Sequence, residues 1–345
     1  MMKNGIKSSI RPNHLNSYLG GAAPLRHSMM PTIAVHAGAG RARFEEDDLR
    51  MYRSGLRDAA LNGLKALRNG NAIDAVVEAI STLESNPVND AGVGGSVFNI
   101  AGEVEVDAGL MNGSTMSIGA VASVKHVANP IRLAKFIMNN TDHVMVVGEG
   151  AEELARIAGL WVPEFVFVNE KKVNRYRSMI REVDSGSVPY KRVLKLAKEA
   201  GIMDTVGAVA LDSDGNLAAG TSTGGVWLKW RGRVGDSPPI PGAGYWADRR
   251  CALSATGGLG EVIIRHMASL RAATAVEAGS DIITAINASV NGASTIFGTG
   301  TIGLIGIDSL GNVHAAFNTE MMGRGFIRMD MSEPVVAVLP EERFP

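Results

Sequence analysis

Thr205 stands in Asp204-Thr205-Val206-Gly207, where a charged connector gives way to an apolar run. A threonine at such a junction suits an N-terminal nucleophile. If the peptide bond before Thr205 breaks, the freed α-amine has a reference pKa of about 7.7–8.0 and can take the proton of its own hydroxyl near neutral pH, so no histidine is needed. β-Branching narrows the rotamers of Thr205, and Gly207 permits close backbone approach. The plain alternative is a threonine that merely starts a strand. Two other patterns compete. Gly220-Thr221-Ser222-Thr223-Gly224 matches GxSxG, with His266 and His314 downstream as a serine hydrolase requires. An elbow of that kind leads into a helix, whereas VWLKWRGR after Gly225 has no helical apolar stripe. Gly298-Thr299-Gly300-Thr301-Ile302-Gly303 matches GxGxxG, but a dinucleotide site needs a strand before it and a helix after it, and here a strand-like run follows.

The elements that must position these residues follow from periodicity. Thr32–Ala37 reads as a buried strand opening into the turn Gly38–Gly40. Asp48 can cap a helix with apolar positions Leu49, Tyr52, Leu56, Ala60, Leu64 and Leu67, ended by Asn69-Gly70. Asn71 caps a second helix through Ile73, Val76, Val77 and Ile80 to about Leu83. Glu103–Ala108, Ile118–Val124 and His143–Val147 are strand candidates, and Glu149–Ile157 a third helix closed by Gly159. Residues 161–204 are crowded with Lys and Arg at weak periodicity and read as a mobile, solvated connector; their acidic residues offset the charge, and no aromatic ladder accompanies them as a nucleic-acid patch would need. From Thr205 the segment TVGAVALDSDGNLAAGTST aligns without gaps on TIGLIGIDSLGNVHAAFNT from Thr301, with 8 of 19 positions identical. Each copy is two apolar runs around an Asp-x-x-Gly-Asn turn, the pattern of an antiparallel hairpin. Helices over Glu261–Ala275 and Asp281–Val290 separate the copies, so two sheets between helical layers satisfy both halves.

Composition bounds the function. A chain of 345 residues, 46% hydrophobic and 20% charged, can bury a large core. A net charge of -1 gives no global field toward nucleic acid or an acidic membrane surface. The lone Cys251 cannot form an internal disulfide, and no Cys/His cluster has zinc spacing, so a reducing cytoplasm is the expected compartment. No apolar stretch is long enough for a membrane helix. Residues 1–29 carry Lys3, Lys7, Arg11 and Arg26 without any acid and lack the apolar run of a secretory signal; a disordered extension is expected, with an organelle transit peptide as the alternative.

The stretch from Thr32 to about Met322 resembles the plant-type (type 2) asparaginase and isoaspartyl aminopeptidase family of N-terminal nucleophile hydrolases, with more distant likeness to glycosylasparaginase and threonine aspartase. The marks are HAGAG at His36, EVEVDAGLMNG at Glu103, NPI at Asn129, HVMVVGEGA at His143, TVGAVALD at Thr205, GNLAAGTSTGG at Gly215, GRVGDSP at Gly232, GAGYWA at Gly242, ATGGLGE at Ala255 and FNTEMM at Phe317. The resemblance implies a single domain over residues 30–345 with an α/β, four-layer αββα fold of two antiparallel sheets. It also implies self-cleavage between Asp204 and Thr205 into an α part (30–204, with 161–204 as linker) and a β part (205–345), assembled as a dimer of αβ heterodimers. Thr205 becomes nucleophile and amine base, steadied by Thr223. Thr256 and the Gly257 N–H form the oxyanion hole. Arg233 grips a substrate α-carboxylate and Asp236 its ammonium, with Gly257 and Gly260 lining the same pocket. Without the resemblance, Arg233 and Asp236 read as a surface ion pair. The implied reaction is hydrolysis of L-asparagine and β-aspartyl dipeptides without a cofactor. A loop over Leu83, Glu84, Asn86, Asn89, Ala91 and Val93 is expected to hold a structural sodium ion.

The chain also departs from the family pattern. Asp90 stands where Asn is usual, beside Asn89; His36-Ala37 replaces His-Gly; Gly94-Gly95 and Gly257-Gly258-Leu259 are each one residue longer; and Asp204 stands where many asparaginases have Gly. These departures keep two alternatives open, a glycosylasparaginase-like hydrolase and an inactive relative retained for binding.

Overall fold

The computed structural model describes residues 29–41, 45–94, 97–186, 205–236 and 240–345. The expected extension before residue 29, residues 187–204 of the connector with Asp204, and Gly95 lie outside the described residues.

Strand β1 (Thr32–Gly40) leads into α1 (Glu46–Asn69) and α2 (Ala72–Glu84), whose Asn71 cap accepts the Asp74 N–H as its sequence position predicts. Then come β2 (Val106–Asn112), β3 (Ile118–Val124), α3 (Pro130–Asn140), β4 (Met145–Val147), α4 (Gly148–Ile157) and α5 (Glu170–Asp184). The second part holds β5 (Thr205–Leu211), β6 (Leu217–Thr223), β7 (Tyr245–Ala247), β8 (Cys251–Thr256), α6 (Gly260–His266), α7 (Ala268–Glu277) and α8 (Ile282–Phe297). It closes with β9 (Gly303–Asp308), β10 (Val313–Phe317), β11 (Met321–Arg328) and β12 (Val335–Ala337). Eight strands form one sheet in the order β12-β11-β1-β5-β6-β2-β3-β4, and four form a second, β10-β9-β8-β7.

Both copies of the internal repeat are antiparallel hairpins, β5–β6 and β9–β10. In the first, Asp212 accepts the N–H groups of Asp214, Asn216 and Ala72, tying the turn to the start of α2. Period-2 alternation splits the large sheet. Ile33, Val35, Val206 and Ala208 pack with α1 and α2, while Ala34, Val209, Leu211 and Ala219 meet Tyr245, Ala252 and Ile305 of the small sheet. On the far side of the small sheet, Leu253 and Ala255 pack with α6, α7 and α8.

Four sequence expectations are corrected. Asp48 does not cap the first helix: α1 begins at Glu46 behind Glu45, with no side-chain cap hydrogen bond, and Asp48 lies inside its first turn. The large sheet is not wholly antiparallel: β3 and β4 run parallel, because α3 carries the chain back across the sheet between them. The helix expected over Glu261–Ala275 is two helices, broken at Met267, whose φ of 54° is left-handed. The connector is not irregular throughout, since α5 occupies Glu170–Asp184 and a short turn of helix Glu164–Phe167. The apolar positions of α5, Val173, Tyr176, Met179, Ile180 and Val183, have helical spacing but are outnumbered by charges, so the stripe is narrow. They close over Phe98 and Trp227.

Candidate active site

The face of the large sheet that meets the small one carries the site. Thr205 and Gly207 share parity with Val209 and Leu211, so they face the small sheet. In register, Thr205 lies opposite Thr223 on β6, and Thr223 lies opposite Asp107 on β2, which sets three polar side chains in a row on one face. All three are buried. Across the gap Thr256, the last residue of β8, donates its hydroxyl to the Thr205 carbonyl at 3.2 Å. The Thr223 hydroxyl accepts the Gly225 N–H at 2.9 Å, which fixes the turn that leaves β6.

Close approach explains the glycines. A Cβ on Gly207 would stand 2.2 Å from Ser254 Oγ and 2.3 Å from His36 Nε2. One on Gly257 would stand 2.2 Å from the Thr301 carbonyl, so the turn after Thr256 admits only glycine there. Ser254 donates to the Gly220 carbonyl and therefore accepts from His36 Nε2 at 2.8 Å. Burial pushes the His36 imidazole down to about 3, so it stays neutral beside β5.

The residues expected to grip a substrate converge from two segments. Asp236 is only 3% exposed, its Oδ2 has no partner among the described residues, and burial pushes its carboxyl up to about 7. A carboxylate so placed favours an incoming cation. Gly260 abuts it, since a Cβ there would stand 2.7 Å from Asp236 Oδ1. The turn read as one residue too long therefore still delivers Gly260 to Asp236. Arg233 does not pair with Asp236 as a surface ion pair. It is held by Glu261, which accepts from its Nε and Nη2 at 2.8–2.9 Å. Sequence reasoning missed Glu261, although it directly follows Gly260. It also missed Lys229, fully buried with Nζ donating to the Glu105 carbonyl, and gave Asp107 no role. Asp107 lies within the EVEVDAGLMNG stretch, but only strand register sets it in the threonine row.

The two rival motifs separate from any such cluster. Ser222 donates to the Asp107 carbonyl within a hairpin strand, while His266 contacts the Ser289 carbonyl and His314 that of Pro345. Gly298–Gly303 follows a helix and enters a strand, the reverse of a dinucleotide fingerprint.

The loop after α2 winds tightly on itself. Gly94 N donates to the Glu84 carbonyl at 2.7 Å, Asn89 Nδ2 to the Leu83 carbonyl at 2.9 Å, and a Cβ on Gly94 would stand 2.3 Å from the Asn86 carbonyl. Asn89 Oδ1 is buried without a partner. An orphaned amide oxygen suits a hard cation, whereas the carbonyls of Leu83, Glu84 and Asn86 already accept hydrogen bonds. Asp90 lies in the same loop; its carbonyl accepts the Gly224 N–H at 2.7 Å, and burial pushes its carboxyl up to about 6 against the pull of Lys172 and Arg175.

The sequence profile of the asparaginase family matches residues 29–337. The chain belongs to that family. It is 45% identical over 297 residues to a plant-type L-asparaginase of Pyrobaculum calidifontis, covering 86% of this chain and 97% of the relative. A plant-type L-asparaginase of Pyrococcus horikoshii is 43% identical over 312 residues, 90% of this chain and 100% of that one. An isoaspartyl peptidase/L-asparaginase of Danio rerio is 42% identical over 242 residues, 69% and 73% of the two chains. Among the described residues, no helix is long and apolar enough to cross a membrane, and no group of three or more His, Cys, Asp or Glu could hold a metal ion.

Proposed function

We propose that this asparaginase-family chain cleaves itself between Asp204 and Thr205 and then hydrolyses L-asparagine and β-aspartyl dipeptides through a Thr205 acyl-enzyme. The observation that carries the reading is the convergence of Thr205, Thr223 and Thr256 from three strands in two sheets, with the half-buried Arg233 on the adjoining segment beside Asp236, whose Oδ2 has no partner among the described residues. In self-cleavage the Thr205 hydroxyl attacks the Asp204 carbonyl, the peptide nitrogen leaves as the α-amine, and water hydrolyses the resulting ester. In turnover the α-amine takes the hydroxyl proton and Oγ attacks the side-chain carbonyl of the substrate. Thr256, turned from the Thr205 carbonyl, and the Gly257 N–H then hold the oxyanion, a contribution of roughly 3–4 kcal/mol per donor in well-studied hydrolases. The amine returns its proton to the departing ammonia or amino acid, and water releases aspartate. Arg233 exchanges Glu261 for the substrate α-carboxylate, and Asp236 takes the ammonium.

The reading extends to a four-layer αββα sandwich, α1–α3 and α6–α8 enclosing the two sheets, and to a dimer of αβ heterodimers in a reducing cytoplasm. A sodium ion held by the carbonyls of Leu83, Glu84, Asn86, Asn89, Ala91 and Val93 would brace the loop and take no part in the chemistry. Asp204 favours a second reading, glycosylasparaginase-like hydrolysis, because the same grip on the free amino-acid end leaves the distal amide nitrogen open to a sugar. Release of aspartate from β-aspartyl-leucine, compared with release from N-acetylglucosaminyl-asparagine, separates the two. Inactivity on both, from a correctly cleaved chain, overturns the hydrolase reading in favour of an inactive relative that only binds.

A further inference from the structure

A largely buried charge pair lies one hydrogen bond away from the threonine row. Lys172, on α5, has a side chain only 11% exposed; its Nζ donates to the Gly94 carbonyl at 3.1 Å and stands 3.9 Å from Asp90 Oδ1, itself on a side chain 15% exposed. The Asp90 carbonyl in turn accepts the N–H of Gly224, the residue after Thr223. Arg175, one turn along α5, adds positive charge near Asp90 and lies 5.2 Å over the ring of Trp227, in the segment that leaves β6. A carboxylate taken out of water is tolerated only with compensation, and Lys172 is its one ion-pair partner within 4 Å among the described residues.

We propose that Asp90 and Lys172 are positioning residues: their ion pair clamps the loop 85–94 between α5 and β6, holding the Asp90 carbonyl on Gly224 and so setting Thr223 against Thr205. The clamp spans both sides of the cut, since α5 precedes residue 204 and Gly224 follows it. Its effect on turnover rests on the proposed role of Thr205, but its effect on Gly224 does not.

The test uses the full chain with Lys172→Met, Lys172→Arg, Asp90→Asn and the double variant Asp90→Asn/Lys172→Met. Three quantities are read: hydrogen exchange in the peptide spanning Ser222–Val226, and kcat and KM for asparagine. Lys172→Met leaves the carboxylate unpaired; exchange there should quicken and kcat fall, each roughly tenfold, with KM within about twofold. Lys172→Arg should stay near wild type, and the double variant, which removes both charges, should recover most of both losses. Unchanged exchange in Lys172→Met, or a double variant as impaired as Lys172→Met, overturns the clamp. Because exchange needs no catalysis, a wild-type chain that never cleaves would count against the proposed function and still leave the clamp decided.

Discussion

At the scale of single residues, the proposed substrate grip rests on charged groups set close together, Asp236 and Arg233. Asp236 is the clearest. Its folded pKa of about 7 lies above the ordinary carboxyl value, so the folded state holds a proton that the unfolded state releases between about pH 4 and 7, and this group lowers stability as pH rises through that window. A substrate ammonium needs the ionised form. The KM for asparagine should therefore climb as pH falls below about 7, by up to roughly tenfold per unit, and Asp236→Asn should raise KM and flatten that dependence. KM measured from pH 5 to 8 checks it; a slope surviving in Asp236→Asn assigns the effect elsewhere. Arg233 offers a planar fork, which Glu261 now fills from two nitrogens. Arg233→Lys should cost about 1.5–3 kcal/mol of substrate binding, roughly ten- to hundredfold in KM, with little change in melting temperature. Steady-state kinetics beside a thermal melt separates that outcome from misfolding.

At the scale of elements, the hairpin turn at Asp212 couples the strand that begins with Thr205 to the start of α2. Asp212→Ala removes acceptors for Asp214, Asn216 and Ala72 and should destabilise the fold by about 2–3 kcal/mol, visible as a lower urea midpoint at an unchanged slope. This element was legible in the sequence because the repeat at Thr205 and Thr301 carries its turn residues at fixed offsets. Helices α1 and α2 were equally legible, through 3.6-residue periodicity and the Asn71 cap. Helix α5 was not, because most of its surface is charged and only a narrow stripe meets Phe98 and Trp227. Nor were the parallel pairing of β4 and the break at Met267, which depend on neighbours distant in sequence. The same limit applies within the site. Thr205, Thr223, Thr256, Arg233, Asp236 and Gly260 stand out through motif resemblance, whereas Asp107, Lys172 and Lys229 owe their importance to register and burial.

At the scale of the whole molecule, the proposed cut falls between two parts that share one core. Strand β5 begins with Thr205, yet it lies between β1, from the first part, and β6, from the second, in a single sheet. The pieces should remain associated after cleavage because separating them would tear that sheet and expose the apolar faces on both sides of it. Native mass spectrometry should accordingly show residues 1–204 and 205–345 bound together, in copies of two of each. Denaturing conditions should release them as separate fragments.

The proposed reaction turns on Thr205 as the nucleophile. Intact mass of the purified full-length protein, beside Thr205→Ala, with N-terminal sequencing of the smaller fragment, tests it most directly. Two fragments are expected in the wild type, the smaller beginning at Thr205, and one uncut, inactive chain in the variant. A wild-type chain that stays whole yet hydrolyses asparagine, or a Thr205→Ala chain that still cleaves at this bond, contradicts it.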